Sequence, residues 1–190
     1  MTRIAIAGGA TSLTVDARRP RFSKLWKAYA EVGHKDSVSV YQLVGGQVEA
    51  HRAENPAAYA NACSLRLSRA FNYGGYKIPK GDIVKETPIY RLRGRDDLPY
   101  IMTVEGFFEF LKHNWKKPDH EVRPNNLAYI NDKQGVLIMV ISGWGNATGH
   151  ATLWNGKTTG DGSDYHRLDS PEYKDPRVRL VAIHFWELKE

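Results

Sequence analysis

Four stretches of the chain set apolar residues at the three- and four-residue spacing of a helix with one buried side. Phe22, Leu25, Trp26 and Tyr29 form the first; Val38, Tyr41 and Val44 form the second, which Gly45-Gly46 interrupts before Gln47 to Arg52 continues in polar fashion. Leu65, Ala70 and Phe71, with Leu67 at the margin, form the third, stopped by Gly74-Gly75. Thr103 can cap a fourth, whose stripe of Phe107, Phe110, Leu111 and Trp115 ends at Lys116-Lys117-Pro118. The pattern then changes. Val136 to Ile141 is an unbroken apolar run between Gly135 and Gly143, as a strand covered on both faces requires. Gly149 to Trp154 alternates, with His150, Thr152 and Trp154 on one face, and Asn155-Gly156 is a hairpin signal. Val178 to Leu188 alternates again as a long last strand, and residues 74 to 100 read as loop with one strand candidate at Ile89 to Leu92. Helices first and strands afterwards predict an α+β fold, helices packed on an antiparallel sheet.

Two regions leave the pattern open. Asn55-Pro56 resembles an N-cap followed by proline at the first helical position. One helix from Pro56 to Tyr73 would put Cys63 in mid-helix, whereas a break with Asn61 as a new cap would put it at a helix start. At the other end, Ile4-Ala5-Ile6 before Gly8-Gly9 could open a nucleotide-binding turn, but the full glycine fingerprint and a second βαβ unit are missing. Residues 1–21 are therefore expected to be a flexible arm, ending in a linker at Arg18 to Arg21.

With 190 residues, 42% of them hydrophobic, the chain suits one domain, 1–190, with a sizeable core. Lys and Arg (27) outnumber Asp and Glu (21), a formal charge of +6. That charge favours acidic partners such as nucleic acid, lipid headgroups or cell-wall polymers, although solvated lysines alone can account for it. A single cysteine excludes an internal disulfide and a cysteine-based zinc knuckle. No apolar run approaches the ~20 residues that span a bilayer. Met1 to Ala10 is too short and too glycine-rich for the apolar segment of a signal peptide, so any export is expected to use a route that reads no cleavable signal.

The candidate chemistry starts at Cys63. A lone cysteine is ordinarily a small buried hydrophobe, but at a helix start the free N–H groups and the dipole favour its thiolate. His150, opening a sheet strand far downstream, is the second half of a papain-like site, in which imidazole takes the thiol proton and later returns one to the leaving amine. Its other ring nitrogen needs an acceptor to fix the tautomer. Asp161 lies where the chain returns opposite His150 if Asn155-Gly156-Lys157 is the turn; Asp164 needs a longer loop. A metal site could gather His150, Asp161, Asp164, His166 and His184, but their spacing matches no metal-ligand motif.

The stretch Asn61-Ala62-Cys63-x-x-Arg66-x-Ser68-x-Ala70-x-Asn72, with Gly149-His150 and Leu153-Trp154-x-Gly156, resembles the fourth amidase family of type VI secretion effectors, a compact relative of the NlpC/P60 branch of papain-like peptidases. A weaker likeness runs through Val44-Gly45-Gly46-Gln47-Val48. The resemblance implies a cysteine amidase that cuts peptidoglycan stem peptides between D-glutamate and meso-diaminopimelate. It implies an antibacterial toxin made in the cytoplasm and injected by type VI machinery into the periplasm of a rival cell, with a cognate immunity protein as inhibitor. Cofactor, metal, nucleic-acid partner and membrane span are not part of that picture. By motif match Cys63 is the nucleophile, His150 the base and Asp161 the orienting acid. The family commonly has a cysteine pair flanking that acid, where this chain has Thr159 and Ser163 in an ungapped reading; a shift of three would pass the role to Asp164. Two rivals stand beside this reading. One is a non-catalytic basic module binding an anionic polymer; the other is a housekeeping NlpC/P60-like wall hydrolase, for which an export signal is expected.

Overall fold

The protein, described by a computed structural model for residues 2–7, 11–16, 19–81, 88–124 and 126–190, folds as helices laid on one face of an antiparallel sheet. The sheet has the order β5-β8-β6-β7, with β5 at His120–Val122, β6 at Gly135–Ser142, β7 at Gly149–Trp154 and β8 at Arg179–Glu187. The chain reaches it through α1 (Phe22–Ala30), α2 (Ser37–Val44), α3 (Gly46–Glu54) and α4 (Cys63–Tyr73), then a small antiparallel pair, β3 (Arg91–Arg93) with β4 (Pro99–Ile101), and α5 (Val104–Trp115). Ahead of them, β1 (Thr2–Ala7) and β2 (Thr11–Asp16) pair as a hairpin in a sheet of their own, within the segment expected as an arm.

The unbroken apolar run of β6 is explained by what covers it. Val136 and Ile138 point into the helical layer with Leu25, Phe71 and Phe110, while Leu137, Met139 and Ile141 point the other way onto Ile130, Val178 and Ile183. Phe71 of α4 sits at the centre of the helical layer, 5.1 Å from the Phe107 ring and 5.3 Å from Trp115 in a stacked contact. Burying an aromatic of that size removes on the order of 150–250 Å² from water, so this packing holds α4 against α5. A third cluster, including Val40, Tyr41, Val48, Leu65 and Leu92, joins α2 and α3 to α4 and β3.

Polar side chains buried in α4 fix its position along its own axis. Ser68 Oγ accepts from Ile101 N at 2.9 Å and donates to Ile101 O at 3.3 Å; Asn72 Nδ2 donates to Pro99 O at 2.9 Å, and its Oδ1 accepts from Ile78 N at 3.0 Å. Each is satisfied by the backbone, as buried polar groups must be. The start of α1 is tied to the residues at and after the end of β8: Phe22 N donates to Lys189 O at 3.0 Å, and Arg19 donates to Glu187 O at 2.9 Å and to the Asp119 carboxylate.

α4 starts at Cys63, which resolves the choice left by the sequence. Asn55 does accept from Ala58 N, at 3.2 Å, but the turn it starts does not propagate. The N-cap is Ala62, with no side-chain bond; Asn61, expected as the cap, donates instead to Asn146 O at 3.3 Å. The strand candidate at Ile89 to Leu92 lies two residues later as β3, and β4 and β5 add three-residue strands that alternation could not flag.

Candidate active site

Cys63, the first residue of α4, and His150, the second of β7, meet where helix and sheet pack. The thiol is nearly closed off, with Cys63 only 7% exposed. Around its sulfur stand the His150 imidazole and the backbone N–H groups of Ala151 and Ser64, each of which favours the thiolate. The sequence produces this locally: the first N–H groups of α4 have no carbonyl partner in their own helix, so they face whatever stands at its start. Beside the thiol, Ser64 Oγ is buried without a hydrogen-bond partner among the described residues.

The loop after β7 brings a carboxylate to the far side of the imidazole. Asn155 Oδ1 accepts from Lys157 N at 2.9 Å and Thr158 N at 2.8 Å, turning the chain through Gly156 at φ 96°. Thr159 then bridges Trp154, and Gly160 N donates to Leu153 O at 2.8 Å. Next in line, Asp161 Oδ2 lies 2.7 Å from His150 Nε2. Since Nε2 is engaged there, Nδ1 is the nitrogen left for the thiol. The carboxylate is itself held. Its Oδ1 accepts from Ser163 Oγ at 2.8 Å and from Ser163 N at 3.2 Å, and its Oδ2 accepts from Tyr29 OH at 3.3 Å. A carboxylate can only accept, so Tyr29 spends its proton there and takes the one from Thr152 Oγ1, 3.0 Å away. Gly160 is required by this approach, because a Cβ there would stand 2.9 Å from the Tyr29 ring.

Asp164, the alternative partner, faces elsewhere: its Oδ1 accepts from Ser170 Oγ at 2.8 Å. His166 packs on the Trp154 ring and His184 on Phe108. Among the described residues no three His, Cys, Asp or Glu side chains are grouped to hold a metal ion. Thr159 and Ser163, at the positions of the family's cysteine pair, are joined by hydrogen bonds: Thr159 Oγ1 donates to Ser163 O at 2.6 Å, and Ser163 Oγ lies 3.4 Å from Thr159 Oγ1.

Electrostatics set the protonation of the trio. Burial pushes the Cys63 thiol up, but the hydrogen bond and charge of His150 and the two backbone N–H groups outweigh it and hold the thiol below its ordinary value. Burial pushes His150 down, and the hydrogen bonds and charges of Asp161 and Cys63 overcome that and raise it to about 9. Burial disfavours the Asp161 carboxylate as well, yet His150 and Ser163 keep it far below the usual carboxylate range. A lowered thiol beside a raised imidazole favours a thiolate–imidazolium pair, able to attack a carbonyl carbon and to protonate a leaving group.

A cleft opens on both sides of Cys63, between residues 58–61 and the loop at 144–148. One arm, about 560 Å³, is walled by Tyr41, Tyr59 and Tyr90; the other, about 390 Å³, contains His150, Arg66 and Tyr165. Tyr29, Ser64 and Ser163 serve this site although no role in it was legible for them beforehand. Tyr29 reads as core by spacing, and a lone serine beside the cysteine or in a turn carries no signal of its own.

A helix-borne cysteine set against a strand-borne histidine, on helices packed over an antiparallel sheet, is the layout of the papain-like class. Within that class the chain belongs to the family described as type VI secretion system (T6SS), amidase effector protein 4 (Tae4), whose model matches residues 59–186. It is an enzyme of the amidase type. A chain in the crystal structure of the Tae4–Tai4 effector–immunity complex from Enterobacter cloacae is 32% identical, with 90% of this chain and 99% of that one covered at a TM-score of 0.75. Tae4 from Enterobacter cloacae alone is 29% identical over 92% of this chain and 100% of that one, at a TM-score of 0.73. The corresponding complex from Salmonella Typhimurium gives 29% identity, 90% and 99% coverage, and a TM-score of 0.72. A search of the curated proteins finds no match.

Proposed function

We propose that the chain is a single-domain cysteine amidase that hydrolyses the bond between D-glutamate and meso-diaminopimelate in peptidoglycan stem peptides. Cys63 is the nucleophile, His150 the general base and acid, and Asp161 the residue that orients His150. The observation that carries this reading is the buried Asp161–His150 contact at 2.7 Å with the thiol of Cys63 on the other side of the ring. The thiolate attacks the γ-carbonyl carbon of D-glutamate, and the carbonyl π pair moves to oxygen, where the Cys63 N–H at the helix start can hold it. The tetrahedral adduct collapses as His150 gives its proton to the departing amine of diaminopimelate, leaving a thioester. Water, losing a proton to His150, then attacks the thioester; the released thiolate and the imidazolium restore the starting pair.

In the cell the protein acts as an antibacterial effector, delivered by type VI secretion into the periplasm of a target bacterium where the stem peptides are. The relatives seen in complex with Tai4 support an immunity protein as its partner. The test is digestion of purified sacculi with release of peptides ending in D-glutamate. Cys63→Ala, a change of small volume at a buried position, should abolish release while leaving the far-ultraviolet dichroism unchanged. Release that persists in this variant refutes the assignment.

A further inference from the structure

The two arms of the cleft differ in charge. Among the described residues the tyrosine-walled arm contains no cation and presents the exposed Glu105, whereas the arm shared with His150 contains Arg66. A hollow behind His150 extends that second arm past the same arginine to His34 and Lys35. Of the carboxylates near this end, Asp161 is paired with His150, while Glu172 lines the same arm and accepts from the neutral Trp144 Nε1 at 3.3 Å, keeping its charge.

Arg66 has no acidic partner among the described residues. Its Nε donates to Val32 O at 3.2 Å and its Nη2 to Lys35 O at 2.7 Å. Two carbonyls thus fix the plane of the guanidinium without neutralising it, and the N–H groups of Nη1 remain for a ligand. A guanidinium held in this way suits a planar anion. It lies three residues after Cys63 in α4, about 4.5 Å along the helix and on nearly the same side.

In a stem peptide that continues past diaminopimelate, the two residues flanking the bond that Cys63 attacks each keep one free carboxylate. The α-carboxylate of D-glutamate is four bonds from the attacked carbonyl carbon, about 5 Å when extended; the far carboxylate of diaminopimelate is seven bonds away, about 9 Å, and stands beside its own ammonium group. Distance and isolation both favour the first for Arg66, and the ammonium fits the arm with Glu105. Resting on the stem-peptide reading above, we propose that Arg66 determines specificity by binding the free α-carboxylate of the D-glutamate, so that the acyl half of the substrate lies in the His150 arm.

The experiment compares L-Ala-γ-D-Glu-meso-diaminopimelyl-D-Ala with the same peptide carrying an α-carboxamide on the glutamate. Wild-type protein should cut the amidated peptide on the order of 10–100-fold more slowly in kcat/KM. Arg66→Gln should lose a similar factor on the free carboxylate and almost nothing further on the amide, and Arg66→Lys should retain part of the discrimination. Equal wild-type rates on the two peptides overturn the inference, as does Arg66→Gln slowing both by one factor. The wild-type comparison holds whether or not the variants fold. Wild-type protein that cuts neither peptide refutes the proposed function, and this inference with it; equal cutting of both refutes the inference alone.

Discussion

Replacing Asp161 by asparagine removes one charge and no volume, which makes it the cleanest perturbation of the site. The amide would keep an oxygen for Ser163, but its NH₂ would face His150 Nε2 and Tyr29 OH. To avoid two opposed N–H groups the imidazole must then carry its neutral-state proton on Nδ1, facing the thiol, where a base is needed. The electrostatic part follows from His150, raised from 6.5 to about 9. That difference corresponds to roughly 3 kcal/mol favouring imidazolium, and screening is slight because the two side chains are only 11% and 7% exposed. Cys63 shares in it. If Asp161 supplies half, its loss lowers the ion-pair population by on the order of tenfold, and the wrong tautomer adds more, as in serine proteases, where the equivalent change costs ~10⁴. We expect kcat/KM on a stem peptide to fall about 10³-fold, with the pH midpoint for iodoacetamide alkylation of Cys63 moving upward. Asp164→Asn, which disturbs only the bond from Ser170 Oγ, should stay within about threefold of wild type. A threefold or smaller loss in Asp161→Asn, or the reverse order of the two variants, refutes the reasoning.

The pH profile of hydrolysis should be a bell. Activity rises as Cys63 deprotonates below its ordinary value of 9.0 and falls as His150 loses the proton owed to the leaving amine, near pH 9; alkylation, which needs only thiolate, should not fall there, and a parallel fall would contradict the assignment. Tyr29→Phe leaves the buried Thr152 hydroxyl and one Asp161 oxygen short of a partner. It should cost about 1–2 kcal/mol of stability and a several-fold loss in kcat/KM, read by urea denaturation and peptide turnover. In Gly149→Ala the new Cβ would stand 2.1 Å from Met139 O, inside the β6–β7 pairing. A loss of about 3 kcal/mol is expected, and a urea midpoint unchanged from wild type would show that the strands can part without cost.

The elements legible in the sequence were those whose burial is one-sided or complete over several residues. The stripe of α5 and the run of β6 declare themselves because every residue of the stripe, and every residue of the run but Val140, meets a core cluster. β4 and β5, three residues each, bury too few positions for any period to form. The start of α4 was illegible for a different reason: its N-cap is Ala62, which makes no side-chain bond, so the chemistry that marks helix starts is missing where the thiol needs an open terminus. Tertiary contacts replace it. α4 is registered by Ser68 and Asn72 against β4, two buried polar groups whose partners lie some thirty residues away and leave no local trace.

Between Asp161 and Asp164 the sequence offered a geometric argument that depended on the length of one turn. Asn155 decides it by accepting from both Lys157 N and Thr158 N, which closes the turn early enough for Thr159 to bridge Trp154. From that bridge the chain needs only two more residues to reach His150, and Asp161 is the second; Asp164 lies three further, already in the turn that ends on Ser170. Asn155→Ala should therefore act at a distance. Without the two bonds the turn can lengthen, the Trp154–Thr159 bridge weakens, and the carboxylate drifts from the imidazole while every residue of the trio is intact. A loss of ~1 kcal/mol per bond is typical for neutral partners, so the fold should survive, and kcat/KM should fall about tenfold. The cause is distinguishable from a direct chemical role by the alkylation profile of Cys63, whose midpoint should shift in the same direction as in Asp161→Asn but by less. Full activity in Asn155→Ala would mean that Ser163 and Tyr29 hold Asp161 without help from the turn.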